Sequence, residues 1–472
     1  MKNVGRRPDD EAGRILMQTL EASTLERRQP WYAEALPGFV TEGVITDQQA
    51  EAILPYIGQP IEDIMHLETP YDKALKAGVI TRQQAGTMNG VIFEKAHSGT
   101  ALCSGTASYV YDAGETSLTE GCFSTEARND NVIKATGGAK VVMKNVTVEK
   151  RGDTTDHSEG SFTGLNAAVL AEGGDIAMED CAIISHAIGG NNVFVHGKDS
   201  HVTLKNVLLD AYGIASNRCI YVSFGGRLEA EGCEFTSRGS ISSTVATDTG
   251  GGRIYLKDCL VKTLGGHCAS LYSTGDIIAE HCICVAPETE GLIIVGGNTM
   301  TLTDTCVLSG QGQGIKLTAA MESNAGTFTM TGGSLTACEG PVVTAEGKAE
   351  VTLRKVAIAN PSGEAVKGVK GFAPPGMEKP QTEPSLLHLV LMEQELRGSI
   401  TADQDHALSV ELLEGSRLVG SINGDAMAHT TLRLSADSRW ELTGDSVVDV
   451  FINEDPTGAN IVTGGYSLKI AE

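Results

Sequence analysis

Aromatic residues are scarce: 10 Phe, 10 Tyr and 2 Trp make up 5% of the 472 residues. Trp is the usual platform for sugar rings, so a chain with only Trp31 and Trp440 is poorly equipped to grip a polysaccharide. Positive charge is also short. Lys and Arg number 36 against 60 Asp and Glu, a formal net charge of −24, and such a surface repels nucleic acid and anionic membranes. It also disfavours a highly anionic polymer as substrate, unless a basic patch or Ca²⁺ intervenes. There is no run of 18 apolar residues to span a membrane, and no apolar stretch follows Arg6-Arg7 as a secretory leader requires. The expected location is the cytoplasm, with neither nucleic acid nor membrane as partner. Walker A, HExxH, GxSxG and Rossmann fingerprints are missing, and no cofactor or metal is expected.

What is present is a repeat. The phrase apolar–x–apolar–polar–(Asn/Asp/Gly)–small–x–apolar occurs in VMKNVTV (Val142–Val148), VTLKNVLL (Val202–Leu209), IYLKDCLV (Ile254–Val261) and six further copies. Its fifth residues are Asn145, Asp180, Asn206, Gly232, Asp258, His281, Asp304, Gly332 and Lys355, at steps of 35, 26, 26, 26, 23, 23, 28 and 23. Spacing of this size marks a solenoid, and period-2 alternation within each copy marks strands. A coil of about 23–26 residues holds three short strands and three turns, and it buries its inner face only when stacked on its neighbours. The fold class is therefore mainly β, a single-stranded right-handed parallel β-helix. Asn, Asp and Gly at the fifth position suit a bend of left-handed backbone conformation. Altered copies at Gly398, Gly420 and Gly444 carry the stack almost to the C-terminus, and a Pro-rich excursion loop is expected over 361–384.

Cysteine follows the same pattern. Cys181, Cys233, Cys259 and Cys282 occupy a repeat column held elsewhere by Val146, Val207 and Val356, so they read as reduced, packed apolar residues. The close pair Cys282 and Cys284 is expected to turn one thiol outward. Residues 1–92 read differently, as an all-α segment that caps the solenoid or drives oligomerisation, with 93–472 forming the β-helix. Ile15, Leu16, Leu20 and Leu25 are spaced for a helix over Arg14–Leu25. Gly43–Ala50 (GVITDQQA) matches Gly78–Ala85 (GVITRQQA), each with Thr at an N-cap and Gln three residues on for a capping box. Asp63–Leu67 and Tyr71–Lys76 complete the expected helical turns.

From about residue 95 to the end, the sequence resembles the adhesin-like right-handed β-helix proteins of anaerobic bacteria. The likeness rests on KRGD (Lys150–Asp153), SFTGLNAAVL (Ser161–Leu170), HAIGGNNVF (His186–Phe194), ATDTGGG (Ala246–Gly252), LYSTGD (Leu271–Asp276) and WELTGDS (Trp440–Ser446). The resemblance implies fold more than activity, since that family's name reflects shape. Members often look exported, and this chain departs from them in its missing leader and its helical N-terminus. The Asp pairs and basic triplets of β-helix pectinases are not evident.

These ordered segments are more polar than packing requires. Aligning the coils puts His196, Ser223, Asp248 and Tyr272 in one outward column. A second column, five residues earlier, holds Asn191, Arg218, Ser243 and His267, with Phe194 and Tyr221 between them. Equivalent residues on parallel strands stack about 4.8 Å apart. Such a flank offers Arg218 for a carboxylate, Tyr221 and Tyr272 for stacking, Asn191 and Asn192 for hydrogen bonds, and Asp248 with His196 or His267 for proton transfer. Two functions remain open on this reading. One is a cytoplasmic, homo-oligomeric (dimeric or trimeric) binding or assembly scaffold whose flank over 190–275 takes a small molecule or saccharide. The other is a carbohydrate-active or small-molecule enzyme using Asp248, His196 and His267.

Overall fold

A computed structural model describes residues 11–61, 67–97, 102–319, 324–369, 385–404 and 406–470. From Thr106 onward the chain winds into a parallel β-solenoid. Among the described residues one sheet, sheet A, has 12 strands running from Thr106–Tyr111 to Ser399–Ala402, and a second, sheet B, has 22 strands running from Glu115–Thr125 to Val450–Asn453. A typical coil places Val193–His196 in sheet A, then His201–Lys205 and Leu208–Ala211 in sheet B, and returns through a loop to Ile220–Ser223 in sheet A. That is the expected three strands per coil. Alternate residues Val193, Val195, Val202, Leu204, Val207 and Leu209 point into one continuous core.

The bend between the two sheet B strands falls on the fifth repeat position. From Asn145 to Lys355 all nine such residues have φ between +45° and +68°, and Glu120, Glu393 and Glu414 adopt the same conformation in register with them. The residue after the bend points inward. Cys181, Cys233, Cys259 and Cys282 accordingly stack in the dry interior; burial raises the Cys181 pKa, and the contact with Cys259, reinforced by burial, raises those of Cys233 and Cys282. Cys284 is buried too, and Ile283 between the pair is exposed. The expectation of one outward thiol fails because residues i and i+2 of a strand share a face. A left-handed conformation costs a side-chain-bearing residue about 1–2 kcal/mol, and Asn least of all. Glu120, with φ +56°, carries that strain. Glu120→Asn is therefore expected to raise the stability of the solenoid by about 1 kcal/mol, read from the urea midpoint.

The stack continues through Leu396, Leu418 and Trp440, which pair in register. Gly398 and Gly420 lie in one column, but Leu442 is their next neighbour and Gly444 falls two residues beyond it. The expected excursion loop over 361–384 is shorter at its start: Glu364–Val369 is a strand of sheet A, because Pro361 sits in the turn before it. Its remainder, 370–384, lies outside the described residues.

The outer face of sheet B is self-neutralised. Lys144, Glu179, Lys205, Glu231, Lys257 and Glu280 stand on successive coils with alternating charge, and Lys144–Glu179 and Lys257–Glu231 close to 3.1 Å. The outer face of sheet A is instead apolar and aromatic, with Leu170, Phe194, Tyr221, Ala246 and Tyr272 in one column.

The described residues from 11 to 97 form α1 (Glu11–Thr41), α2 (Asp47–Ile53), a 3₁₀ turn (Leu54–Tyr56), α3 (Pro70–Lys76) and α4 (Arg82–His97). Helix α1 runs well past the predicted Leu25, and the expected turn at Asp63–Leu67 lies, but for Leu67, outside the described residues. The Thr46/Gln49 and Thr81/Gln84 boxes both form. The two copies also grip each other, since Gln49 donates to the Val79 carbonyl (3.0 Å) and Gln84 donates to the Val44 carbonyl (2.8 Å). Their core of Tyr32, Phe39, Ile53, Tyr71 and Met88 is separate from that of the solenoid. Among the described residues, α1 meets the solenoid through Arg28–Asp156 (3.3 Å) and Arg27–Glu159 (3.2 Å). The first strand of sheet A leaves Tyr109 and Val110 39% and 53% exposed. These contacts tie the helical segment to the loop around Asp156 and Glu159.

Candidate functional site

The outer face of sheet A between Val169 and Ser273 is where the predicted site residues fall. Its first column reads Leu170, Phe194, Tyr221, Ala246, Tyr272, and its second, two residues on, reads Glu172, His196, Ser223, Asp248. The predicted column of His196, Ser223 and Asp248 is thus observed. Tyr272 instead lines up with Tyr221, and Thr274 takes the place beside Asp248. Likewise Asn191 and Arg218 are neighbours, but Ala269 rather than His267 stands next to Ser243. Both shifts are of two residues, so each residue stays on its coil and moves one column along it. The loops feeding sheet A differ in length from coil to coil, and the repeat phrase marks sheet B.

Aromatic packing organises the flank. The Phe194 and Tyr221 rings stack at 4.8 Å, and the Arg218 guanidinium lies over Tyr221 at 4.6 Å. The His196 Nδ1 is 3.2 Å from Ser223 Oγ, and its ring meets the edge of Phe224. Burial lowers the His196 pKa below the ordinary value, against the opposing charge of Glu172, so the imidazole is neutral at neutral pH. Burial also raises the Tyr221 and Tyr272 phenols, reinforced in both by the Asp248 carboxylate and opposed by Arg218.

A cover that sequence reasoning missed lies over part of this face. The return loop after Lys150 folds into a short helix, α5 (His157–Phe162), N-capped by Asp156. The Gly160 carbonyl accepts from Asn191 Nδ2 at 3.0 Å, Ser161 bonds Ser216, and the Phe162 carbonyl lies 3.5 Å from Ser223 Oγ. The loop closes at Gly164, where φ is +79° and a Cβ would fall within 3 Å of Leu170 and Phe194. A legible signal was present in Asp156-x-x-Glu159, which has the spacing of a cap.

Two predicted residues are fully buried, Asn191 under the cover and Asn192 inside the coil. Asn191 is fully buried, with its carboxamide spent on Gly160 and on the Arg218 amide. Asn192 faces the interior and donates to the Ile183 carbonyl. Asp248 accepts from the Thr249 amide at 2.7 Å, which ends its strand. Its carboxylate lies near the Tyr221 hydroxyl without good hydrogen-bond geometry.

Among the described residues, several buried polar atoms along this flank have no hydrogen-bond partner: Arg218 Nε and Nη1, the Tyr221 hydroxyl, His267 Nδ1 and Thr274 Oγ1. Buried polar groups are normally satisfied, so each of these requires a reason. A shallow groove of about 280 Å³ on sheet B, walled by Thr203, Lys205, Glu229 and Tyr255, differs in this respect. There the Tyr255 hydroxyl bonds Glu280 and Lys257 pairs with Glu231.

No curated protein matches the chain. The family model described as "right handed beta helix region" matches residues 152–307, the stretch that holds both the α5 cover and the unsatisfied polar atoms. That stretch is similar to the right-handed β-helix family, and the parallel coils on either side of it continue the same fold.

Proposed function

We propose that this protein is a binding scaffold whose sheet A flank holds a small anionic molecule, a carboxylate-bearing metabolite or acidic saccharide, against Arg218. One observation carries the reading: a guanidinium with two buried N–H groups and no acceptor. Arginines elsewhere in this acidic chain fork onto carboxylates, as Arg238 does on Asp210 (2.8 and 2.9 Å) and Arg417 on Glu441. A half-buried Arg whose Nε and Nη1 are shut off from water, stacked on Tyr221 and left without an anion among the described residues, is costly unless a ligand supplies the anion. Tyr221 offers a hydroxyl beside it, and Tyr272, two coils on in the same column, an aromatic edge. Asn191 and Asn192 serve the fold.

Native mass spectrometry of protein purified from its own cells would report a copurifying ligand and the subunit count together. Arg218→Ala is expected to weaken binding of that ligand roughly ten- to hundredfold, the worth of a charge-assisted hydrogen bond, while the thermal midpoint moves little. Equal affinity in the variant would overturn the reading.

A further inference from the structure

We propose that Ser223 and His196 form a nucleophile–base pair on this flank, able to take an acyl group from a carboxylic ester. The inference rests on the flank being a small-molecule site and adds a reaction to it. The two residues sit on adjacent rungs of sheet A in register, and their reacting atoms are 3.2 Å apart. Rigid neighbouring strands hold a pair of groups more precisely than loops do.

The surrounding groups suit the chemistry. The Ser223 proton has two acceptors within reach, His196 Nδ1 at 3.2 Å and the Phe162 carbonyl at 3.5 Å, and the imidazole is the nearer and the only base. The imidazole is neutral, as a general base must be. On its far side, one rung away, stands Glu172, whose negative charge stabilises the imidazolium formed on proton transfer. Glu172 is itself fixed by Lys134 (2.5 Å) and by the Cys103 amide (2.7 Å), so it acts on His196 through its charge and not through a hydrogen bond. Arg218 and Tyr221, earlier on the same chain segment, carry unpaired donors for a negatively charged substrate or oxyanion.

In the reaction the Ser223 oxygen bonds to the ester carbonyl carbon while its proton passes to His196 Nδ1. The carbon–oxygen bond to the alkoxide then breaks, and the alkoxide leaves with the proton from His196. Water, deprotonated by His196, cleaves the acyl-serine and releases the carboxylic acid. Ser223 is fully buried beneath α5, so entry requires that single short helix to lift. Its latch to the helical segment is Arg27 and Arg28 on Glu159 and Asp156.

The test uses the full chain and diisopropyl fluorophosphate, read by intact mass and peptide mapping. One diisopropylphosphoryl group is expected on Ser223. It should be absent from Ser223→Ala and form at least about a hundredfold more slowly in His196→Asn. Wild-type labelling should rise with pH through the His196 ionisation, below pH 6.5, and then level off. Arg27→Gln/Arg28→Gln, checked for intact far-UV dichroism, should speed labelling by loosening α5. No adduct on Ser223 in either the wild type or this double variant would overturn the proposal, as would an unchanged rate in His196→Asn. Those results would mean that the pair is a buried structural hydrogen bond. The Arg218 binding measurement does not depend on Ser223, so the two readings fail separately.

Discussion

Gly239→Ala is expected to destabilise the solenoid by roughly 3 kcal/mol or more, at the upper end of what overpacking costs. A methyl group at this position would lie 1.8 Å from the Gly213 carbonyl oxygen, far inside contact distance. The site belongs to a column. A Cβ on Gly213 would lie 2.0 Å from the Ala187 carbonyl, and one on Gly265 would lie 2.1 Å from the Gly239 carbonyl. None of the three has a positive φ, so backbone conformation does not demand glycine here; the packing of one coil's return loop on the next does. Nor can the coils separate to make room. Tyr212 N–Ser185 O, Arg238 N–Ala211 O and Leu264 N–Ser237 O, all 2.8 Å, tie each rung to its neighbour directly before the glycine. Gly90→Ala provides the contrast. Gly90 lies inside α4 with open space around its Cα, so the same substitution should stabilise by about 0.5–1 kcal/mol through helix propensity. Urea unfolding of the two variants beside the wild type reads both signs. A Gly239→Ala protein as stable as the wild type would show that the rungs can spread.

The glycine column also shows what a sequence of this kind conceals. The bend residues were legible because left-handed geometry selects Asn, Asp and Gly, and enough copies obeyed to reveal the column even where His281 and Lys355 had replaced them, while Glu120, Glu393 and Glu414 at its ends went unread. The cysteine ladder was legible because Cys181 and Cys233 alternate with Val146 and Val207 at a position that only a buried side chain can share. Sheet A was read less well. Its strands are four to six residues long in most coils and are fed by loops of varying length. Tyr272 and His267 were therefore assigned to columns two residues from their true ones. The α5 cover was harder still, since a six-residue helix has no apolar period to detect, and the burial of Asn191 follows directly from it, whereas Asn192 is buried because it points into the coil. The candidate site survives this correction in reduced form. Arg218, Tyr221, Asp248 and Tyr272 remain on one outward face, and His196 turns out to belong with Ser223.

Lys150→Met is expected to be nearly neutral near pH 7 and clearly destabilising near pH 10, a dependence opposite to that of an ordinary salt-bridged lysine. Lys150 opens the KRGD segment, and its ammonium is fully buried, donating to the Ala127 and Gly152 carbonyls at 2.8 and 2.6 Å. Burial lowers its pKa to about 8, although Asp130 and Asp153 push the other way. Asp130 is already occupied by the hydroxyls of Thr106, Ser108 and Thr125, and Asp153 by the Ile188 amide, so neither forms an ion pair with Lys150. Below pH 8 the lysine is charged in both the folded and the unfolded chain, and the folded state bears the whole cost of burying it. Between pH 8 and the unfolded value near 10.5, the unfolded chain binds a proton that the native chain has released, so stability rises with pH across that window. Integrated over the shift, the gain is up to about 3 kcal/mol. Methionine keeps the volume but loses both carbonyl hydrogen bonds, a loss that the relieved burial of charge offsets only at the lower pH. The measurement is the difference in unfolding free energy between wild type and variant at each pH, in which the titrations of buried Cys and Tyr cancel. A difference that stays flat from roughly pH 7 to pH 10 would mean that Lys150 keeps its proton throughout. Its ammonium would then reach water or an acid, and the KRGD turn would be a solvated surface feature rather than a plug at the start of the stack.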